Sequence, residues 1–317
     1  MLKTGIYRRD QLGVAALKGW FGRRRFVAVT LYEEIAASED PDRERLLEHM
    51  LARFPAANGT YKRTQSHRFE EFDARVVQEL LRRLNPSLGV AIHDLGVSDG
   101  RTAVDFFRRL GSLEHVNLRF VASDAFPDLT VVTDPRMSLV VVFDPGTRAP
   151  LQVIWPPFVF NVTQRESALL YPVNRMILLA LLRTRVPALL ARFAADDPSL
   201  NVTRTRLLTL DCLRLLASDP RFTFERHNIL EPARDRFNLV RAMNVLNRSY
   251  FSDADLRLAS AHVHESLVPG GLLVTGSNED AGSPVDGAIY ERTATGFRQL
   301  WVSGAGSQID GILTGGI

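Results

Sequence analysis

The sequence predicts a doubly wound α/β fold with a mostly parallel sheet. From Gly89 onward, short apolar runs alternate with segments of helical periodicity, which is typical of parallel strands joined by right-handed crossovers. Within that alternation, an apolar run ends at Asp94 and leads through a turn with Gly96 and Gly100 into a helix. A strand, a glycine turn and a helix in this order let the backbone approach a ligand closely.

The composition limits the class of protein. Of the 317 residues, 45% are hydrophobic and 24% are charged, which is typical of a globular protein with a sizeable core. The net charge of +3 comes with arginine pairs that we interpret as solvated helix faces, and no basic-aromatic module indicates a nucleic-acid partner. The single cysteine, Cys212, excludes an internal disulfide and a two-cysteine metal site. Without a signal peptide or a membrane span, we expect a cytoplasmic protein.

Residues 1–88 are predicted to form a helical N-terminal region. Apolar side chains recur at helical spacing over residues 42–54 and again over residues 69–84, with a polar loop at 56–60. Asn85-Pro86 is expected to end the second helix.

Residues 89–317 are predicted to form the domain that contains the sheet. Ser252 and Asp255 have the spacing of a capping box, which marks the start of one of its helices. A Pro-Gly-Gly turn precedes one strand, and a hairpin about residues 294–296 is expected to finish the sheet. The predicted strands are 89–94, 117–123, 222–227, 237–243 and 272–275, and the predicted helices are 101–110 and 253–267.

Residues 126–203 interrupt this alternation and are predicted to be an insertion that covers the substrate. Apolar runs separated by turns indicate a small antiparallel sheet, and the helix over residues 167–193 is expected to bend at Pro187. This helix is rich in arginine and leucine, and two interpretations are open. It either lies on a membrane surface, giving peripheral membrane contact, or it is a cap helix that packs on the sheet or in a dimer. An apolar acceptor pocket is expected between Trp155, Phe158 and Tyr171.

Taken in order, these pieces resemble class I S-adenosylmethionine-dependent methyltransferases. Residues 94–101 are similar to the family's Asp-x-Gly-x-Gly-x-Gly turn, with Ser98 in place of the middle glycine. In the C-terminal half, Asn-Val-Leu at 244–246, Tyr-Phe at 250–251 and Leu-Val-Pro-Gly-Gly at 267–271 are similar to the chemotaxis-receptor methyltransferase branch. The resemblance covers about residues 89–125 and 205–310, and it implies a seven-stranded Rossmann-like methyltransferase sheet.

The resemblance also implies S-adenosylmethionine as the cofactor. Asp94 is expected to meet its ammonium group, directly or through water, and Asp124 its two ribose hydroxyls. Asn228 either bonds the adenine amino group or caps the next turn. The expected cofactor-binding residues, all at the carboxyl ends of strands, are Asp94, Gly96, Ser98, Gly100, Asp124, Asn228 and Asn244.

The expected reaction is methyl transfer by in-line displacement to an acceptor that the sequence does not identify, either a small molecule or a lipid-like metabolite. Tyr250, His227 and Glu279 are candidates for a general base, should the acceptor arrive protonated. No metal site is expected. The alternatives are a protein or peptide methyltransferase, a non-catalytic cofactor-binding regulator, and an NAD-dependent oxidoreductase, against which the missing central glycine speaks. The oligomeric state stays open.

Overall fold

The computed structural model describes residues 28–39, 41–52, 54, 65–83, 88–113, 116–156, 158–162, 172–279 and 282–316. Its helices are α1 (Tyr32–Ala37), α2 (Arg43–Leu51), α3 (Glu70–Leu81), α4 (Arg101–Arg109), α5 (Pro172–Arg183), α6 (Arg185–Ala194), α7 (Leu210–Ser218), α8 (Asp253–Ser266) and α9 (Asp310–Thr314). Its strands are β1 (Val90–Leu95), β2 (Leu118–Asp124), β3 (Asp128–Asp134), β4 (Leu139–Phe143), β5 (Pro150–Trp155), β6 (Phe158–Asn161), β7 (Asn201–Arg206), β8 (Phe222–Arg226), β9 (Phe237–Met243), β10 (Leu267–Ser277), β11 (Asp286–Arg292) and β12 (Phe297–Ser303).

The chain folds into two compact units, each built from two stretches of sequence. One contains residues 1–63 and 128–210, and the other contains residues 64–127 and 211–317. The expected N-terminal region is therefore divided between the units, with α2 in the first and α3 in the second. Long-range hydrogen bonds explain why the early residues belong with the insertion: Val29 N–H donates to the side chain of Gln152, and the Tyr32 hydroxyl donates to the carbonyl of Leu208.

The second unit is built on a seven-stranded sheet in the order β8-β2-β1-β9-β10-β11-β12. The first five strands of this order are parallel, β11 is antiparallel to β10, and β12 is antiparallel to β11. This confirms the predicted doubly wound, Rossmann-like sheet with its terminal hairpin. Strand β1 pairs with β2 along one of its edges and with β9 along the other. The strand order therefore reverses between β1 and β9.

The strands of the second unit form because their apolar residues are buried on the sheet. Leu95, Val121 and Val240 belong to a buried cluster that also includes Leu256 and Val263 of α8. Helix α8 begins where predicted, since Ser252 and Asp255 form a capping box in which each side chain accepts from the other residue's backbone N–H. The carboxyl ends of β1, β2 and β9 consequently lie along one edge of a rigid, packed sheet.

The first unit contains a five-stranded antiparallel sheet in the order β6-β5-β4-β3-β7. Helices α5 and α6 contribute Leu178 and Leu189 to its core, against strand residues such as Val141 and Val153. The antiparallel strands of the insertion are therefore observed. β7 was not predicted, because its residues are mostly exposed and give little apolar alternation.

The helix expected over residues 167–193 is interrupted at Thr184, not bent at Pro187. Proline has no backbone N–H to donate to a helix carbonyl but is tolerated in a first turn, and Pro187 is the third residue of α6. The break therefore falls just before the proline. Residues 163–171, which include the predicted start of this helix, lie outside the described residues. None of the described helices combines the length and apolar character that crossing a bilayer requires.

Candidate functional site

The turn between β1 and α4 has an unusual backbone. Gly96, Ser98 and Gly100 adopt φ angles of 67°, 60° and 82°, so every second residue is left-handed. Backbone bonds fix this shape: Val97 N–H donates to the carbonyl of Ser123 at 3.0 Å, and Gly100 N–H donates to the carbonyl of Val97 at 3.0 Å. Ser98 thus adopts a left-handed conformation, which glycine adopts more readily than serine.

Gly96 is required by packing as well as by conformation. A Cβ atom at this position would lie 2.2 Å from Cγ2 of Val245, the second residue after β9. The turn after β1 and the segment after β9 therefore pack directly on each other. This contact lies where the strand order reverses, which is where open α/β sheets bind ligands.

Substituting Ser98 tests the strained turn. Ser98→Gly removes a left-handed strain of about 1–2 kcal/mol but adds an entropic cost of about 0.5–1 kcal/mol, so we expect the free energy of unfolding to rise by about 0–1.5 kcal/mol. Ser98→Val places a β-branched residue at φ 60° and should lower the free energy of unfolding by about 1–2 kcal/mol. Urea unfolding of both variants provides the comparison. Equal stability of the two would contradict the left-handed conformation.

Asp124 borders the glycine turn from the end of β2. Its Oδ2 accepts from the backbone N–H of Ser98 at 2.8 Å, and its Oδ1 accepts from the backbone N–H of Phe126 at 2.9 Å. The carboxylate is only half-buried. Because each carboxylate oxygen can accept more than one hydrogen bond, Asp124 retains capacity to accept from a ligand.

Asp99 introduces a second carboxylate at the turn, which the sequence analysis did not single out. Its side chain is 2% exposed, and its Oδ1 accepts from the backbone N–H of Arg101 at 3.1 Å. This N–H belongs to the first residue of α4, whose N-terminus carries the positive end of the helix dipole. A buried carboxylate thus occupies a position where α/β nucleotide sites bind phosphate.

Asp94 is the third carboxylate, and the structure gives it a partner that was not expected. Both of its oxygens accept from Nη1 of Arg241, at 3.0 and 2.9 Å, and the residue is 1% exposed. Nε and Nη2 of Arg241 donate to the two oxygens of Asp73 on α3, both at 3.0 Å. A direct contact between Asp94 and a cofactor ammonium would therefore require this ion-pair network to open.

The Asp73–Arg241–Asp94 triad is enclosed in apolar surroundings. The guanidinium carbon of Arg241 lies 5.2 Å from the ring centre of Phe69 and 4.8 Å from that of Phe106. Burial raises the pKa of Asp73 to about 6, against the opposing effect of Arg241, and also raises the pKa of Asp94. One cation between two carboxylates leaves the ionised triad with a net charge of −1.

Residues 65–69, here called the strap, connect α3 to the carboxyl edge of the sheet. Arg68 donates from Nε and Nη2 to the side-chain and backbone oxygens of Asn278, both at 2.6 Å, just after β10. The neighbouring His67 N–H donates to Asp105 of α4 at 2.8 Å. Asn244, with φ 58° after β9, accepts on its Oδ1 from the N–H of Asn278 at 3.1 Å. The strap and Asn244 therefore meet at Asn278.

His227 and Asn228 follow β8, which is the edge strand of the parallel part of the sheet. Asn228 Oδ1 accepts from the N–H of Leu230 at 3.1 Å, so its oxygen serves a turn. Burial lowers the pKa of His227, which is therefore neutral at physiological pH. On β1, His93 bonds Ser123 Oγ at 2.8 Å, and burial lowers its pKa to about 3, which fits a role in the fold.

The three candidate bases do not converge on one centre. Tyr250 and Glu279 follow β9 and β10 and are exposed, whereas His227 follows β8. Because β1 and β2 lie between β8 and β9, His227 is separated from the end of β9 by three strand spacings, or roughly 14 Å. A single reaction centre can therefore use Tyr250 or Glu279, but not either of them together with His227.

The predicted substrate residues belong to the first unit. Trp155 and Phe158 stack at 6.0 Å between ring centres, and the Arg185 guanidinium lies 5.0 Å from the ring centre of Trp155. Both aromatic residues are half-buried and pack against the apolar cluster of the five-stranded sheet. Tyr171 lies outside the described residues. The expectation of an acceptor pocket at these residues stays a prediction.

Sequence reasoning missed four charged residues of this region: Arg68, Asp73, Asp99 and Arg241. For Asp73 the sequence did contain a signal. Asp73 lies on the same helix face as Phe69 and Val76, and it is a charged residue on that otherwise apolar face. Arg241 carried a similar signal as a charge within the apolar strand 237–243. A charge on a buried face needs a buried partner.

No family model matches the chain, and no curated protein sequence matches it. Solved structures do resemble it. The CurJ carbon methyltransferase is 13% identical over 68% of this chain and 36% of its own, with a TM-score of 0.34. CalS10 from Micromonospora echinaspora, an amino pentose methyltransferase with SAM bound, is 14% identical over 75% of this chain and 69% of its own, with a TM-score of 0.32.

The N-methyltransferase NodS from Bradyrhizobium japonicum WM9 is 14% identical over 67% of this chain and 71% of its own, with a TM-score of 0.29. The chain thus spans little more than a third of the CurJ structure and about 70% of the other two. At these identities and TM-scores, what the chain does has to be decided from its own residues.

Proposed function

We propose that the chain is an S-adenosylmethionine-dependent methyltransferase whose cofactor binds at the carboxyl ends of β1, β2 and β9. One observation carries the proposal: the left-handed turn at residues 96–100 lies at the reversal of strand order, with the Asp124 carboxylate bonded to it from the neighbouring strand. This is the arrangement in which open α/β sheets bind a nucleoside.

The residues present fit the nucleoside part of this cofactor. The packing of Gly96 on Val245 and the left-handed backbone at Gly96, Ser98 and Gly100 fix the shape of the turn, so the ligand would bind to a preformed main-chain surface. Asp124 would accept hydrogen bonds from two ribose hydroxyls while keeping its bonds to Ser98 and Phe126. Asn228 would be a partner for adenine through its amide nitrogen.

The charge of the site favours a cofactor without phosphate. Asp99 and Asp124 place two carboxylates at the turn, and Asp99 lies at the helix N-terminus that a pyrophosphate would need, whereas Arg241 offsets the charge of Asp94. A dianionic NAD pyrophosphate would be repelled there. S-adenosylmethionine has a sulfonium and an ammonium group and no phosphate. The acidic turn is therefore the main argument against an oxidoreductase.

When bound, the cofactor would supply a methyl group activated on a positively charged sulfur. The chain would orient this group through the turn and Asp124, which belong to a rigid sheet edge. Tyr250 and Glu279 are exposed beyond the ends of β9 and β10, so either would take a proton from an acceptor that arrives protonated. The acceptor that we favour is a small molecule or lipid-like metabolite, with a peptide acceptor as the alternative.

Calorimetric titration tests this proposal. We expect S-adenosylmethionine and its demethylated product to bind with dissociation constants of about 1–100 μM, and NAD to bind at least tenfold more weakly. Gly96→Arg should abolish binding, because its Cβ would clash with Cγ2 of Val245 and its side chain would displace the turn. Gly311→Arg is the matched control, since a side chain at Gly311 in α9 would extend into open space. Preferential binding of NAD would contradict the proposal.

A further inference from the structure

We propose that Asp73 and Arg241 are positioning residues: together they fasten the strap to Asp94, and so to the glycine turn. The inference rests on the proposed function, because it gives the buried triad a role in the cofactor site. Asp94 precedes Gly96 by two residues on β1, and Asp73 follows Phe69, the last strap residue, by four residues on α3. Arg241 joins them from β9.

The geometry of Arg241 is suited to this connection. The guanidinium uses one edge, Nε and Nη2, for both oxygens of Asp73 and its remaining nitrogen for Asp94. A two-point contact of this kind fixes orientation as well as distance. The rings of Phe69 and Phe106 flank the same guanidinium, so the last residue of the strap takes part directly.

The triad is an expensive way to join these elements, which argues for a role beyond stability. Two carboxylates and one guanidinium are each at most 3% exposed, and an apolar replacement of such a buried group is often equally stable or more so. The other contacts of the strap also fix its position: Arg68 donates to Asn278, and the N–H of His67 donates to Asp105. The strap is thus held at three successive residues, His67, Arg68 and Phe69.

Asp73 is accessible to protons. It contributes to a cavity of about 390 Å³ between the strap, α3 and α4. The charged groups that face it are Arg241 of β9, Asp94 of β1, Arg109, Arg108 and Asp105 of α4, His67 and Arg68 of the strap, and Glu70 of its own helix. Protonation would remove one acceptor from the two-point contact with Arg241 and weaken the hold on the strap.

Asp73→Asn tests the inference, with Glu79→Gln as the matched control. Glu79 is a nearly buried acid on the same helix, but it pairs with Arg75, Arg82 and Arg83 at the opposite end from the strap. We expect Asp73→Asn to raise the dissociation constant of S-adenosylmethionine about tenfold at about pH 7.5, and Glu79→Gln to leave it unchanged. Because Asp94 still neutralises Arg241, Asp73→Asn leaves no uncompensated charge, and its free energy of unfolding should stay close to that of the wild type, so binding and stability separate.

The pH profile is the readout that a purely structural role would not move. Affinity of the wild type should fall about tenfold between about pH 7.5 and about pH 5, because Asp73, with a pKa of about 6, becomes protonated. Asp73→Asn should bind equally weakly at both values. The same pH dependence in wild type and variant, or wild-type affinity in the variant, would overturn the inference.

Hydrogen exchange of the free protein separates this inference from the proposed function. If Asp73 fastens the strap, the amides of residues 65–69 exchange faster in Asp73→Asn than in the wild type, whatever the ligand is. Failure of the wild type to bind S-adenosylmethionine, together with faster strap exchange in the variant, would refute the proposed cofactor and leave the connection standing. Unchanged exchange would refute the connection itself.

Discussion

Replacing Arg241 by methionine is expected to lower the free energy of unfolding by about 3–5 kcal/mol at about pH 7.5. Methionine has a similar length but no charge, so Asp73 and Asp94 would face each other in the core without the guanidinium between them. Breaking a buried ion pair from one side leaves an uncompensated charge, which costs more than the pair contributes when intact. Urea unfolding measures the loss directly.

The sign of the pH dependence provides an internal check on Arg241→Met. Burial already raises the pKa of Asp73 to about 6 and raises that of Asp94, and removing Arg241 raises both further. An acid whose pKa is raised in the folded state binds its proton more tightly there than in the unfolded chain. The free energy of unfolding therefore falls as the pH rises above the unfolded-state pKa of aspartate, about 3.9. The loss should therefore be smaller at about pH 5 than at about pH 7.5.

Arg119→Met is the matched control for this experiment. Arg119 is also an arginine on a strand of the same sheet, and it pairs with Asp235 at 2.5 Å, but both side chains are about half exposed. Such a surface pair contributes less than about 1 kcal/mol. Equal destabilisation by Arg119→Met and Arg241→Met would contradict the importance assigned to the buried triad.

Asp124→Asn is expected to raise the dissociation constant of S-adenosylmethionine about 10- to 100-fold. Hydrogen bonds from two ribose hydroxyls to a charged carboxylate contribute about 1.5–3 kcal/mol, and asparagine offers one neutral oxygen in place of two charged ones. That oxygen is also needed by the N–H groups of Ser98 and Phe126. Calorimetry measures the affinity.

Asp235→Asn controls for the general loss of a negative charge. Asp235 precedes β9, so it lies at the amino ends of the parallel strands, away from the edge with the glycine turn. We expect this variant to bind the cofactor as the wild type does. If Asp124→Asn kept wild-type affinity in the same titration, Asp124 would not be a ribose partner.

The parts of the site that could be predicted from sequence are those set by local structure. A strand that leads into Gly96 and Gly100 and then into a helix fixes the turn within a few residues. Asp124 was found because the end of a strand is defined by its own apolar run. Each of these features depends on neighbours in the chain.

The triad could not be predicted because its members come together only through packing. Packing of α3, β1 and β9 brings together Asp73, Asp94 and Arg241. No local sequence pattern indicates that these three elements pack on each other. The charge on each apolar face indicated that a partner was needed but did not identify it. The Asp94 role expected from the motif was therefore incomplete.

The division into units escaped prediction for a related reason. Residues such as Val29 and Tyr32 join the insertion through bonds to Gln152 and Leu208, more than 120 residues away. Helical periodicity in the N-terminal region predicted α2 and α3 correctly, yet it could not indicate that they belong to different units. Periodicity reports which face is buried, not what covers it.

A crystal structure of the protein with S-adenosylhomocysteine would test the central claim most directly. The account predicts the ribose hydroxyls within hydrogen-bond distance of the Asp124 carboxylate and the amino-acid end of the ligand against the turn at Gly96. It also predicts that the Asp73–Arg241–Asp94 triad stays closed. A ligand bound away from the carboxyl ends of β1 and β2, or one that displaces Asp124 from the turn, would contradict it.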